Sequence, residues 1–235
     1  MWITEKGRRR LEMLVIDAGH GGIDPGAVVN GIWEKDWTLE VSLYQHERFK
    51  ELGIPVLLTR DRDQALSPEA RAAKVRQSGA RFCISNHYNS GGGSGCETIH
   101  SIHSDGKLAK SIGRSLNVEG MPLRRVFSKK GTSGDDYYYM HRKTGKVETI
   151  IVEYGFLDSN RDRKKLKSFS DRMRFAEAVV QVMCTTLGFP YTSKAKGLAT
   201  DLYYVQIGAF KNQQNASALL KELNKKGYQA IIKKG

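Results

Sequence analysis

The sequence predicts an α/β fold: a mostly parallel, twisted sheet flanked by helices, with a small βαβ appendage at the C-terminus. Short apolar runs alternate with stretches in which apolar residues recur at helical spacing, which is the pattern of strands and crossover helices. The first run, 14–18, ends abruptly in the loop G-H-G-G, as a buried strand does. A polar, irregular stretch then separates residues 202–235 from the rest.

Local signals set the predicted bounds of the elements. Gly53 ends the first helix, and Asp36 is its predicted N-cap, which leaves Glu34 and residues 24–32 in a loop. Residues 124–140 predict a strand, a loop and a short strand. The other predicted strands are 14–18, 54–59, 82–86, 96–102 and 148–153, and the predicted helices are 36–52, 67–78, 108–116 and 171–187.

Composition bounds the domain organisation. At 235 residues, 40% of them hydrophobic, the chain is long enough for one full-sized globular domain with a small appendage. We predict an N-terminal extension (1–12), a main domain (13–188), a linker (189–201) and a C-terminal unit (202–235). No run approaches the roughly 18 apolar residues of a membrane span, and the first twelve residues lack the apolar segment of a secretory signal.

The charge balance favours an anionic partner. The net charge is +13, from 38 Lys and Arg against 25 Asp and Glu. Nucleic acid, a membrane surface and an anionic polymer would all satisfy this charge. The chain lacks an RNP motif, zinc-finger spacing and a basic helix with heptads, so we expect no nucleic-acid partner.

The cysteines are sparse. Cys83, Cys96 and Cys184 show no C-x-x-C spacing, and an odd, small number is typical of chains that fold in a reducing compartment. Cys83 and Cys96 stand at the starts of two predicted strands, so they could form a disulfide if those strands were neighbours.

Four polar residues lie at predicted strand ends or in the first long loop: His20, His87, Glu153 and Glu34. Since sites in α/β sheets form beyond the carboxyl ends of strands, these side chains could converge. Two histidines and one glutamate match the ligands of a catalytic zinc ion, and a second glutamate could act as a base. From the residues alone, each could equally be structural or solvated. The glycine-rich loop lacks the spacing of a phosphate-binding loop.

The motifs around these residues resemble a known family. D-A-G-H-G-G-x-D-P-G-A, N-G-x-x-E-K, S-N-H-Y-N-S and V-E-Y-G-F-L-D-S-N look like those of the zinc-dependent N-acetylmuramoyl-L-alanine amidases, in the same order, across residues 13–188. The resemblance implies one zinc ion per chain, bound by His20, Glu34 and His87, with Glu153 as the catalytic acid/base. It also implies cleavage of peptidoglycan between muramic acid and the first L-alanine of the stem peptide.

The C-terminal unit resembles the first half of a SPOR-type peptidoglycan-binding repeat, whose opening strand is Y-V-Q-I-G-A-F. A helix around 216–223 and a short second strand after it complete the predicted βαβ unit. Full repeats are longer, so we predict a partial one. An appendage with no binding role is the alternative.

Two further residues are predicted to bind substrate, Arg60 and Asn89. Arg60 follows the second strand in T-R-D-R-D and could meet a carboxylate of the peptide, or pair with Asp61 or Asp63 instead. Asn89 follows His87 and could orient either that side chain or the substrate.

Taken with the missing signal segment, the resemblance leads us to expect a phage or prophage lysin. Such a protein stays in the host cytoplasm until another factor releases it to the cell wall. Its partners there would be peptidoglycan and, through its basic surface, anionic wall polymers. An exported autolysin of the same chemistry, a non-catalytic wall-binding protein and a different zinc hydrolase are the alternatives.

Overall fold

The structure is a computed structural model that describes residues 13–193, 207–226 and 230–232. It forms two compact units, which divide between Thr192 and Ser193. The predicted extension 1–12 and most of the predicted linker lie outside the described residues. None of the described helices is both long and apolar enough to cross a membrane.

The described part of the first unit contains eight strands and six helices. In chain order they are β1 (Leu14–Ala18), β2 (Val28–Val29), β3 (Ile32–Trp33), α1 (Glu34–Glu51), β4 (Val56–Leu58), α2 (Pro68–Gln77), β5 (Phe82–Asn89), β6 (Cys96–Ile99), α3 (Lys107–Val118), β7 (Leu123–Phe127), α4 (Tyr139–Arg142), β8 (Glu148–Phe156), α5 (Asn160–Lys165) and α6 (Phe169–Leu187).

A six-stranded sheet in the order β4-β1-β5-β8-β6-β7 organises this unit. β6 runs antiparallel to β8, and all other neighbours in the sheet are parallel. The predicted mostly parallel α/β fold is therefore confirmed. β2 and β3 form a separate hairpin.

Helices cover both faces of the sheet. α1, α3 and α6 pack on one face, over a core that includes Ile16, Ile84 and Val152. α2 and α4 lie on the other face, where Val75 and Met140 join a smaller core. All five residues of β1 are buried. Because both faces of β1 are buried, its sequence is a continuous apolar run, which only Asp17 interrupts.

Several elements differ from the prediction. α1 begins at Glu34, before the predicted N-cap Asp36, because Trp33 passes directly from the extended strand β3 into the helix. Glu34 therefore belongs to a helix and not to a loop. The predicted loop 24–32 contains most of the β2–β3 hairpin. Within 124–140, β7 is present, but the helix α4 replaces the predicted second strand, and α5 was not predicted.

β5 and β8 each extend three residues beyond their predicted ends. The predicted bounds end β5 just before His87 and β8 at Glu153. They continue because they pair with each other, from Phe82 with Glu148 to Asn89 with Phe156. As a result, polar side chains project from within the strands at the carboxyl end of the sheet.

The disulfide considered for Cys83 and Cys96 does not form. β8 lies between β5, which carries Cys83, and β6, which carries Cys96, so the two residues stand on non-adjacent strands. Both thiols, and that of Cys184, are free and buried. Burial raises the pKa of all three thiols, which keeps them protonated at neutral pH.

The second unit contains the predicted helix, α7 (Gln213–Lys225), whose first turn is capped by the Asn212 side chain. The described residues on either side, 207–210 and 230–232, are not in strands. The rest of both predicted strands lies outside the described residues. The helix is thus the part of the predicted βαβ unit that the structure confirms.

Candidate active site

Three potential metal ligands converge at the carboxyl end of β1. His20 lies in the loop after β1, Glu34 is the first residue of α1, and His87 lies in β5, a neighbour of β1. One donor atom from each side chain lies within 4.8 Å of the other two. Within the described ranges 13–193, 207–226 and 230–232, no other group of three such side chains comes together in this way.

The Glu34 carboxylate joins the two histidines. Its Oε2 lies 3.1 Å from Nε2 of His20, and its Oε1 lies 2.9 Å from Nδ1 of His87. The backbone amides of Ala27 and Tyr88 donate to the same two oxygens, at 2.9 and 3.0 Å. Burial favours the protonated carboxyl, but the hydrogen bonds with the two histidines outweigh it, and the pKa of Glu34 lies well below its usual range.

Two buried arginines hold the loop that carries His20. Arg60 donates to the carbonyl oxygens of Ala18 and Gly19, at 3.0 and 2.9 Å. Arg71 donates to the carbonyl oxygens of Ala18 and, at 2.6 Å, of His20. His20 has a left-handed backbone conformation with φ of 59°, which is uncommon for a residue with a Cβ. These hydrogen bonds therefore fix the direction in which His20 projects.

Arg60 is placed differently from the prediction. Only 1% of the residue is exposed, and its guanidinium also donates to the carbonyl oxygens of Lys35 and Arg62. Burial lowers the pKa of Arg60 to about 10. The substrate-binding role predicted for Arg60 does not fit this position, because the guanidinium is committed to backbone carbonyls. Of the neighbouring acids, Asp61 contacts Arg62 at 3.4 Å, and Asp63 pairs with Lys35 at 2.7 Å.

Asp17 anchors the arrangement from inside the sheet. Its side chain is fully buried and accepts hydrogen bonds from Thr59, Ser85 and Arg71 at 2.6, 2.7 and 2.7 Å. Burial alone would raise the pKa of Asp17, but the Arg71 charge and these hydrogen bonds outweigh it, so the pKa lies below its usual range. Through Arg71, Asp17 is linked to the backbone of His20.

Asp24 is a site residue that was not predicted. Its Oδ2 lies 2.9 Å from Nδ1 of His20, on the opposite side of the ring from the nitrogen that faces Glu34. A carboxylate in this position fixes the tautomer and the ring orientation of a ligating histidine. The signal was present in the sequence as an acid four residues after His20, in a glycine-rich turn.

Two glycines allow the backbone to approach the cluster closely. A Cβ at Gly19 would lie 2.3 Å from Cε1 of His87, and one at Gly26 would lie 2.5 Å from Oε2 of Glu34. Gly26 also has φ of 66°, a conformation that favours glycine. Neither position accepts a side chain unless a potential ligand moves.

We expect Gly19→Ala to displace the His87 ring and to lower metal affinity by about 10–100-fold, the loss typical when the support of a ligand is removed. Titration calorimetry with zinc measures this change. Gly131→Ala is the matched control, because the Cβ added there would lie at an ordinary 3.4 Å from its nearest neighbour. Equal metal affinity in the two variants would contradict the packing of Gly19 against a ligand.

Glu153 lies beside this cluster, on the strand next to His87. The two residues are register partners in the parallel pair of β5 and β8. Oε2 of Glu153 is buried and has no hydrogen-bond partner within the described part of the chain. Burial, and then the charges of Glu34 and Glu97, raise the pKa of Glu153 well above its usual range. A carboxyl with a raised pKa beside potential metal ligands is typical of a catalytic acid or base.

Asn89, the other residue predicted to bind substrate, is half-buried at the end of β5. Its Nδ2 donates to Oε2 of Glu97 at 3.1 Å, and its Oδ1 accepts from the amide of Ser90 at 2.7 Å. Asn89 therefore supports Glu97, and its direct contact with substrate stays a prediction. Of the predicted site residues, the structure brings together His20, Glu34, His87 and Glu153.

Two family models match the chain. Residues 14–185 match the Amidase_3 model, described as N-acetylmuramoyl-L-alanine amidase, and residues 199–235 match the SPOR domain model. The first match covers most of the chain and contains all four of the converging residues. The second covers the C-terminal unit.

Two relatives in sequence and one solved structure, all named as amidases, are similar to this chain. The sporulation-specific N-acetylmuramoyl-L-alanine amidase of Bacillus subtilis (strain 168) is 32% identical over 222 residues, which are 93% of this chain and 83% of the relative. The amidase CwlM of Bacillus licheniformis is 30% identical over 221 residues, with the same coverage. The catalytic domain of CwlV, an amidase from Bacillus (Paenibacillus) polymyxa, shares the fold, with a TM-score of 0.69 and 24% identity over 76% of this chain and 99% of that one.

The similarity thus extends from the motifs to nearly full-length relatives and to a solved fold. A matching fold alone would leave the chemistry open, because one fold carries many functions. Here the matched segments also carry the convergent histidines and glutamates. The chain therefore belongs to the N-acetylmuramoyl-L-alanine amidase family and carries a SPOR domain at its C-terminus.

Proposed function

We propose that the enzyme hydrolyses the amide bond between N-acetylmuramic acid and L-alanine in bacterial peptidoglycan, with one zinc ion per chain. The observation that carries the proposal is the convergence of His20, Glu34 and His87 beside Glu153, from four separate segments of the chain. Relatives that are named as amidases of this bond support the choice of substrate.

The three potential ligands fit zinc. Two imidazole nitrogens and one carboxylate oxygen form a common ligand set of catalytic zinc sites, which leaves a fourth position for water. The lowered pKa of Glu34 keeps its carboxylate ionised, and Asp24 holds the orientation of the His20 ring, so both groups are positioned to bind a cation. A zinc ion held there supplies a Lewis acid that acidifies water and polarises an amide carbonyl.

Glu153 has the proposed role of acid/base. It takes a proton from the attacking water as the water oxygen bonds to the carbonyl carbon of the muramoyl group. The C–N bond then breaks, and Glu153 passes the proton to the leaving nitrogen, which becomes the amine of L-alanine. The raised pKa of Glu153 suits both transfers, because a carboxylate in a buried site holds a transferred proton more readily than an exposed one and can then pass it to the leaving group.

The proposal also covers the binding partners of the enzyme and the place where it acts. The net charge of +13 favours attachment to anionic wall polymers, an attraction that salt weakens. The SPOR match supports binding of the C-terminal unit to peptidoglycan. The proposed setting is a phage or prophage lysin that stays in the host cytoplasm until release, with an exported autolysin as the alternative.

Digestion of purified cell wall tests the proposal. The full chain is expected to release new N-terminal alanine without new reducing ends, to lose this activity on chelation and to regain it with added zinc. New reducing ends would identify a glycosidase instead. A new N-terminus other than alanine would identify a peptidase that cuts within the stem. Alanine release that persists after complete chelation would remove the metal from the mechanism.

A further inference from the structure

A row of four side chains crosses the sheet from the ligand cluster to the edge strand β7. His87 on β5 is the register partner of Glu153 on β8, Glu153 is that of Glu97 on β6, and Glu97 is that of Arg125 on β7. Directly opposed residues of neighbouring strands project from the same face of the sheet. The row therefore leads from a proposed zinc ligand, through the proposed acid/base, to an arginine.

Glu97 holds two arginines at the end of this row. Its carboxylate is 1% exposed and accepts hydrogen bonds from Nε and Nη2 of Arg125, at 2.8 and 3.3 Å. Arg124 donates to the same carboxylate, because an irregularity of register after Cys96 places both arginines opposite Glu97. Asn89 donates to it as well. The guanidinium groups are thus positioned before any ligand arrives.

The two arginines remain open to solvent. The side chains of Arg124 and Arg125 are 41% and 50% exposed. The guanidinium of Arg125 stacks 4.0 Å from the centre of the Phe127 ring, and that of Arg124 lies 5.5 Å from the centre of the Phe156 ring. Two positive charges face one buried negative charge. The pair also has more N–H donors than the Glu97 carboxylate accepts, so it can bind a second anion.

We infer that Arg124 and Arg125 form a subsite for a carboxylate of the stem peptide, next to the bond that is cut. The inference rests on the proposed function. In peptidoglycan, the residue after L-alanine is a glutamate whose α-carboxyl group is either free or amidated. Arginine binds carboxylates in a bidentate, charge-assisted manner, so the free form is the expected ligand.

The spacing of the strands fits this substrate. Neighbouring strands lie about 4.8 Å apart, so the backbones at Glu153 and Arg125, two strands apart, are separated by roughly 10 Å. An extended peptide spans about 3.5 Å per residue, so the carboxylate of the second residue lies roughly 7 Å beyond the scissile amide. The side chain of Arg125 points back to Glu97 and shortens the remaining gap. The sequence predicts that Arg60 could bind a carboxylate of the peptide. This role is assigned to Arg124 and Arg125 instead.

Two defined fragments test the inference. One is a disaccharide tetrapeptide with a free α-carboxyl group on its second residue, and the other is the same compound with that group amidated. The zinc-loaded full chain is expected to cleave the free acid with a kcat/KM about 10–100-fold higher than that of the amide. This factor corresponds to the loss of one charged hydrogen bond in the amidated fragment. In the double variant Arg124→Gln/Arg125→Gln, the two values of kcat/KM should converge.

The ratio of the two values is measured within one protein, so a loss of stability that lowers both rates leaves the ratio unchanged. Arg125→Lys keeps the charge but not the bidentate geometry and should retain part of the preference. Arg114→Gln is the matched control, because it removes an exposed arginine from α3 and should keep the full ratio.

Each outcome decides one part of the inference. Equal kcat/KM values for the two fragments in the wild type, or an unchanged ratio in the double variant, would overturn the subsite and leave the proposed function intact. If neither fragment is cleaved, the proposed function fails, and calorimetric binding of the same two fragments decides the subsite. Tighter binding of the free acid that is lost in the double variant supports it, and equal binding overturns it.

Discussion

Glu153→Gln is expected to lower kcat on cell wall by about 10²–10⁴-fold, the range that general acid–base catalysis contributes. Glutamine keeps the size of the side chain but cannot take up and return a proton. Oε2 of Glu153 has no hydrogen-bond partner within the described part of the chain, so the change breaks no contact of this atom there. KM and zinc content should therefore stay near those of the wild type, as the rate of alanine release and metal analysis will show.

Glu148→Gln is the matched control for this variant. Glu148 begins the same strand, β8, at the end away from the site. The Glu148→Gln variant should keep the wild-type kcat on cell wall. A folded Glu153→Gln protein that binds zinc and retains the wild-type kcat would exclude Glu153 as the acid/base. Loss of zinc together with activity would place Glu153 among the ligands instead.

Asp17→Asn is expected to lower the free energy of unfolding by about 3–5 kcal/mol, the cost of removing one partner from a buried ion pair. The change leaves the side chain of Arg71, only 3% exposed, without its counter-charge. Because Arg71 also holds the carbonyl oxygen of His20, zinc affinity should fall as well. Urea unfolding followed by circular dichroism measures the stability, and calorimetry measures the affinity.

The Asp17→Asn variant should also show a dependence on pH. Folding lowers the pKa of Asp17, so its carboxylate stabilises the fold above the pKa of the unfolded chain, and this contribution is lost as the pH falls through the folded-state pKa. The stability difference from the wild type should be largest at neutral pH and shrink in acid. Asp61→Asn, which removes an exposed carboxylate, should cost less than about 1 kcal/mol. A difference that is constant with pH would contradict a role for the Asp17 charge.

The convergence of His20, His87 and Glu153 could be predicted because its signals are local. Each residue stands at or just after the end of a short apolar run, and parallel strands bring such positions to the same edge of a sheet. Glu34 was predicted in a loop and lies in a helix, yet it still joins the cluster. The role of Glu34 depends on the position of its backbone beside the carboxyl end of β1. Whether that backbone is helical or in a loop matters little.

Arg60 and Glu97 show what local signals could not predict. Charged residues of these types are usually exposed, but both are buried because partners distant in the sequence satisfy them. Arg60 binds carbonyl oxygens of the loop after β1, and Glu97 binds two arginines on β7. The separation of Cys83 from Cys96 likewise depends on strand order, which their spacing in the sequence does not encode.

The position of β8 has a consequence for synthesis of the protein. In the six-stranded sheet that the structure describes, β8 alone joins β4, β1 and β5 to β6 and β7, and it is the last of the six strands in the chain. Since a chain leaves the ribosome from its N-terminus, the two groups of strands cannot assemble into one sheet until β8 has emerged. A copy that stops before β8 lacks both Glu153 and a continuous sheet, so the site is complete only after β8 has been synthesised.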